Sequence, residues 1–299
     1  MTTWREQLEV AFGGIQLRAM HRAAVIAAGL RAARTTDGIA YYQRSAGGKR
    51  ATPLACIHGF GGDKETWLLM SALVTRRRGM ALIDLPGHGS SADVPEHAAT
   101  IRHHAEAALR VLDHAGIDRA IVCGNSMGGG VALRLAATYP DRVAGLVLVA
   151  SIGRDIHDGP ARGWIDGDNP LIPREQDVER FMQIVLERPP PVGKAVIRHV
   201  IMERVRAAPR LHKLFRGFVL AGDDADGVPR DVRGIDQRAL VIHGEQDRII
   251  SKRVGEDLVQ ALPRGELVVM RGVGHAPQLE APRATARLIE GFARRVDRD

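Results

Sequence analysis

From about residue 35 the chain repeats one pattern: a short, wholly apolar run closed by a polar or glycine-rich stretch. The runs are Pro53–Ile57, Met80–Ile83, Ala120–Cys123, Val143–Ala150, Ala239–Ile242 and Leu267–Met270. Runs without alternation are what strands covered on both faces require. Helical stretches such as Ala98–Ala115 and Gly129–Tyr139 lie between most of them, and Ile39–Tyr42 reads as a further short strand after the turn Thr35-Thr36-Asp37-Gly38. Strands alternating with helices predict an α/β fold with a parallel sheet. Ligands of such sheets bind beyond the carboxyl ends of the strands, which is where the polar residues of this chain collect.

Two segments depart from the pattern. Residues 1–34 read as a helix, by the spacing of Leu17, Met20, Ala24, Ala27 and Ala28, lying on the surface as an amphipathic N-terminus. Such a helix offers weak contact to a membrane surface or to a second copy. A secretory signal is disfavoured, because Glu6 and Glu9 precede the apolar stretch and Arg31 and Arg34 follow where small residues belong. The reading is a mature, cytoplasmic chain. Residues 152–234 hold no strand pattern, carry Pro189-Pro190-Pro191, and are too long for a structureless loop. They read as a helical insertion over the strand ends, splitting the core into 35–151 and 235–299.

Composition narrows the classes. Apolar residues at 45% and charged residues at 26% of 299 are globular values. The run Ala23–Leu30 is far short of the roughly 20 residues of a membrane span. Cys56 and Cys123 cannot form a disulfide framework, and no Cys/His metal spacing exists. The net charge of +7 comes mostly from arginines scattered among acids. No basic stripe interleaved with aromatics appears, so nucleic acid is not the partner.

Candidate chemistry starts at Gly124-Asn125-Ser126-Met127-Gly128, the one G-x-S-x-G of the chain. A strand runs in and a helix runs out, the setting that a nucleophile elbow needs. A serine hydroxyl requires a base, and His275 follows the last strand in a glycine-rich loop. His243 is still on a strand and reads as packed, His103, His104 and His114 as solvated, and His58 and His88 as structural parts of glycine turns. The base needs a carboxylate to orient it. Asp247 after the penultimate strand fits, with Glu245 as fallback, while Asp84 reads as fixing its own turn. The developing oxyanion needs donors: the Met127 N–H, and Phe60 or else Gly61 in His58-Gly59-Phe60-Gly61-Gly62.

HGFGGDKETW (58–67), DLPGHG (84–89), GNSMGG (124–129), HGEQD (243–247) and GVGHAPQLEAP (272–282) together resemble the α/β-hydrolase superfamily, in order over about 35–295. The set is most similar to its capped lipase/esterase branch, including monoacylglycerol-lipase-like enzymes. The resemblance implies a mostly parallel eight-stranded sheet, a helical cap, no cofactor or metal, and ester hydrolysis through an acyl-enzyme. It assigns Ser126 as nucleophile, His275 as base, Asp247 as acid, and Phe60 and Met127 as oxyanion donors. Carbon–carbon bond hydrolases of meta-ring-cleavage products share GNSMGG and are the alternative, although their oxyanion loop and the residues after their histidine differ from HGFGGDK and Ala276-Pro277-Gln278-Leu279. A binding protein that has lost the chemistry is the third reading, and here every role is filled. Trp164, Phe181, Met182, Phe215 and Phe218 of the insertion are the candidates to line an apolar acyl pocket. The expected partner is a small-molecule ester.

Overall fold

The apolar runs become the strands that the pattern predicts. β3 (Leu54–Ile57), β4 (Met80–Ile83) and β5 (Ala120–Asn125) are buried along their whole length and pair in parallel, β3 lying between the other two. β6 (Val143–Val149), β7 (Ala239–Gly244) and β8 (Gly265–Met270) extend the sheet in parallel beyond β5. On the other edge β2 (Ala40–Arg44) runs antiparallel to both β4 and β1 (Arg31–Arg34). The sheet has eight strands in the order β1-β2-β4-β3-β5-β6-β7-β8. This computed structural model describes residues 4–47, 51–153, 164–165, 168–188, 192–220, 227–229 and 231–299; the run Pro189-Pro190-Pro191 lies outside them.

Helices cover both faces, as strands without alternation demand. One buried cluster joins Ile57, Ile83 and Val122 to α3 (Ile101–His114) and α4 (Met127–Thr138). The other joins Cys56, Cys123 and Val147 to Trp67, to α2 (Leu68–Ser71) and to Ile289 and Phe292 of the C-terminal helix, Pro282–Val296. Among the described residues the insertion is helical, with α5 (Val178–Val185), α6 (Lys194–Arg206) and α7 (Ala208–Leu220).

The N-terminal segment differs from its expectation in two ways. α1 spans Trp4–Ala28 and stops six residues short of residue 34, with Arg31–Arg34 forming the edge strand β1. Gly29, at φ 66°, closes the helix. Its N–H donates to Ile26 O at 3.0 Å, and the next N–H, of Leu30, donates to Val25 O at 2.9 Å, the two bonds of a Schellman stop. Nor does α1 lie loosely on the surface. A Cβ on Gly13 would stand 1.9 Å from Ala195 O, and one on Gly14 2.6 Å from the His199 ring. The paired glycines let α1 pack backbone-close on α6, and His199 Nδ1 lies 3.0 Å from Val10 O.

Candidate active site

The strand-to-helix turn after β5 holds Ser126 at φ 54°, ψ −118°, a left-handed conformation that L residues rarely adopt. Packing enforces it. A Cβ on Gly124 would lie 2.1 Å from Gly128 O, and one on Gly128 2.5 Å from Ile57 O. Only hydrogen fits at either position, so the turn can be this tight. α4 begins at Met127, whose N–H is among the first-turn donors that no intrahelical acceptor uses.

His275 Nδ1 stands 2.9 Å from Asp247 Oδ2. The other carboxylate oxygen of Asp247 accepts the N–H groups of Ile249 at 2.8 Å and Ile250 at 3.0 Å. Burial alone would push this acid up; the His275 ring, the His243 ring at 3.4 Å and the backbone donors outweigh it and hold Asp247 well below the carboxylate range. An ionised partner fixes the Nδ1–H tautomer of His275 and leaves Nε2 free to accept a proton. Asn125 Nδ2 donates to the His275 carbonyl at 3.3 Å, tying the elbow to the histidine loop. The Glu280 carboxylate accepts the N–H groups of Gly274 and Ala276 from that loop, and of Glu187 and Arg188 from the insertion. Glu245 lies apart, with its carboxylate on the Gln246 side chain.

The loop opposite is ordered by residues that the motifs conceal. His58 is wholly buried. It accepts the Leu85 N–H at Nε2 (3.0 Å), so Nδ1 carries the proton, and that Nδ1 donates to Gly59 O at 2.7 Å. Gly62 N–H donates to the same carbonyl at 3.0 Å. Two donors fix the Gly59–Phe60 peptide, whose N–H points away from its carbonyl. Asp84 accepts Lys64 N–H and Lys64 Nζ, each at 2.7 Å, and the Ser90 N–H at 2.8 Å, which joins this loop to the turn at 84–90. Burial opposes the Lys64 charge, but Asp84 and Glu65 hold its pKa above the ordinary lysine value. Lys64 carried no signal in the sequence beyond its place in the motif.

Ser126, His275, Phe60, Phe181 and Met182 line one cavity of about 820 Å³. Trp164, Phe215 and Phe218 do not line it. The apolar period of α7 turns Phe215 and Phe218 inward, where Phe215 meets the Phe60 ring at 5.2 Å and Trp164 at 6.5 Å. Trp164 instead borders a separate cavity of about 160 Å³ that contains neither Ser126 nor His275. Three further contributors escaped sequence reasoning. Leu17 and His21 bring α1 to the cavity wall, and Arg204 of α6 reaches across it. Its guanidinium donates to Leu171 O at 2.8 Å, Gly61 O at 2.6 Å and Phe60 O at 3.2 Å, and lies 4.9 Å from the centre of the Phe181 ring. Burial pulls its pKa down to about 10, with Asp63 opposing.

A family model described as "Alpha/beta hydrolase family" matches residues 54–288. The chain belongs to this family. An α/β hydrolase of this kind has known relatives of several activities. It is 29% identical to Lipase 3 of Moraxella sp., over 80% of this chain and 76% of the relative. It is 30% identical to a 2-hydroxymuconate semialdehyde hydrolase of Pseudomonas sp., over 91% and 94%. At 31% identity it matches the dihydrolipoyllysine-residue acetyltransferase component of an acetoin cleaving system of Pseudomonas putida, of whose length it spans only 65%. The crystal structure of a putative lipase of Acinetobacter baumannii superposes with a TM-score of 0.81 at 24% identity, covering 94% of this chain and 96% of the other. The fold is therefore the α/β-hydrolase fold, and hydrolysis is the class of activity that the relatives support.

Proposed function

We propose that this α/β hydrolase cleaves carboxylic esters of small to medium apolar acyl groups, with Ser126, His275 and Asp247 as its triad. The observation that carries the reading is the strained Ser126 sharing a cavity with a histidine bonded to an ionised, buried aspartate. His275 Nε2 takes the proton as Ser126 Oγ bonds to the ester carbonyl carbon. The carbonyl oxygen becomes an oxyanion facing the Phe60 and Met127 N–H groups. Collapse breaks the bond to the alcohol oxygen, which leaves with the proton from His275, and the acyl group stays on Ser126. Water, deprotonated by the same nitrogen, then releases the acid.

Phe181, Met182, Leu171 and Leu186 give the cavity an apolar part among its charged lining residues, which suits a neutral acyl chain. The motif set makes a monoacylglycerol-lipase-like ester our reading of the substrate. The second reading is carbon–carbon hydrolysis of a ring-cleavage dienone. It draws on the 2-hydroxymuconate semialdehyde hydrolase relative, and on Arg210, which lines the cavity and whose buried Nε has no hydrogen-bond partner among the described residues. An anionic substrate would need such a cation. A series of p-nitrophenyl esters from C2 to C16, run beside a ring-cleavage dienone, separates the two. We expect turnover greatest at C4 to C8. Dienone cleavage far faster than any ester would replace this reading with the second.

A further inference from the structure

α1 is apolar on two opposite sides, and the fold covers one of them. Val10, Gly13, Leu17 and Ala28 face inward, the glycines against α6. Trp4, Leu8, Phe12, Ile15 and Ile26 are between 56 and 71% exposed. At 3.6 residues per turn these five fall within a sector of about 80°. Of the eleven exposed large apolar side chains among the described residues, six are on α1. Three more, Leu69, Leu73 and Val200, are on or just after α2 and on α6, both of which pack against α1. A second apolar face that the fold leaves uncovered marks a contact surface.

We propose that the outward face of α1 docks, lying flat, on an anionic lipid bilayer. Charge decides between lipid and protein. Arg18 and Arg22 are exposed on the helix, and neither has a carboxylate within 4 Å among the described residues. The acid Glu9 faces the Arg198 guanidinium of α6 at 3.7 Å. Exposed Arg31 and Arg34 follow on β1. Two copies joined face to face would set these cations against an equally basic surface. Phospholipid headgroups neutralise them while the stripe enters the acyl boundary. No helix among the described residues is long and apolar enough to cross a membrane, so the contact is interfacial. Leu17 and His21 of the same helix line the catalytic cavity, so docking sets the cavity wall at the lipid surface.

The test is co-sedimentation of the full chain with phosphatidylglycerol/phosphatidylcholine vesicles and with phosphatidylcholine alone. Binding to the anionic vesicles is expected, weakened by salt. The triple variant Leu8→Ser, Phe12→Ser, Ile15→Ser should lose it by about tenfold or more, with p-nitrophenyl butyrate turnover and melting temperature unchanged. Arg18→Gln with Arg22→Gln should abolish the preference for anionic vesicles. The proposal fails if the wild type ignores both vesicles, or if the triple variant binds as the wild type does. It also fails if the wild type is a dimer that the triple variant splits while neither binds lipid. Because the readout is binding, its failure is separate from any failure of the ester reading.

Discussion

The Arg204 guanidinium lies 2.6 Å from the Gly61 carbonyl, across the border between insertion and core. The same group holds the Phe60 carbonyl, so the insertion grips the loop whose Phe60 N–H we propose as an oxyanion donor. Gly61 is at φ 65°, and a Cβ there would stand 2.5 Å from that guanidinium. Gly61→Ala should strain the loop and expel Arg204. Arg204→Lys keeps the charge but lacks the planar fork whose separate nitrogens span the three carbonyls. Both variants should lose about tenfold or more in kcat with a smaller change in KM, the mark of an interaction made in the transition state. Unchanged kcat in both would show the contact to be only structural.

Ser126→Ala should lower ester turnover by at least about a thousandfold, since a triad acts as a unit, and leave the melting temperature near or above the wild-type value, since alanine removes only a hydroxyl that makes no capping hydrogen bond. Labelling by a fluorophosphonate, followed by mass spectrometry, should move from Ser126 to nothing.

Asp247 and Glu245 separate cleanly by their partners. Asp247→Asn leaves His275 without the ionised acceptor that fixes its tautomer, and kcat should fall by up to about 10⁴-fold. Glu245→Gln should be near wild type. Full activity in the first variant and loss in the second would reverse the assignment.

Buried histidines make the fold sensitive to acid. His104 is buried on the inner face of α3, against the expectation that it is solvated; His58, His88 and His104 are all lowered, first by burial, His88 well below its ordinary value and His104 to about 3. In the unfolded chain each binds a proton near pH 6.5; in the folded chain it resists. Below pH 6.5 the unfolded state therefore holds more protons, and stability, complete above that pH, falls as pH drops toward the folded values. The slope is at most about 1.4 kcal/mol per pH unit for each histidine. Urea midpoints measured from pH 7.5 to 4.5 should fall steadily, and His104→Phe should flatten the slope. A constant midpoint over that range would refute it.

Acyl-chain preference should follow Phe181 and Met182. Truncation of either to Ala widens the cavity that Ser126 also lines and should shift the optimum toward longer esters. Phe215→Ala should instead cost about 3–5 kcal/mol of stability and leave the chain-length profile where it was.

Much of this was legible in the sequence, because the informative patterns are local. The runs at Leu54–Ile57, Met80–Ile83 and Ala120–Asn125 have no polar face, and such strands fit only the middle of a covered sheet. The motifs around Ser126, Asp247 and His275 each end a strand, and a shared sheet edge brings them into one region. What stayed hidden depends on contacts between distant segments. One arginine among many gives no hint that it will meet three carbonyls, as Arg204 does. Phe215 and Phe218 looked like pocket residues by type, yet with Leu211 and Leu214 they fall on one side of α7, and that side packs inward. The Gly29-Leu30 stop of α1 could have been read from its glycine.

The four N–H groups gathered by Glu280 couple loading to chemistry. Two come from the loop of His275 and two from the end of the insertion beyond α5, and the His275 N–H itself donates to Val185 O at 3.1 Å. Lifting the insertion on this side would drag His275 from Asp247. Substrate must instead be admitted elsewhere along the cavity rim, so that product is exchanged for substrate with the His275–Asp247 contact intact.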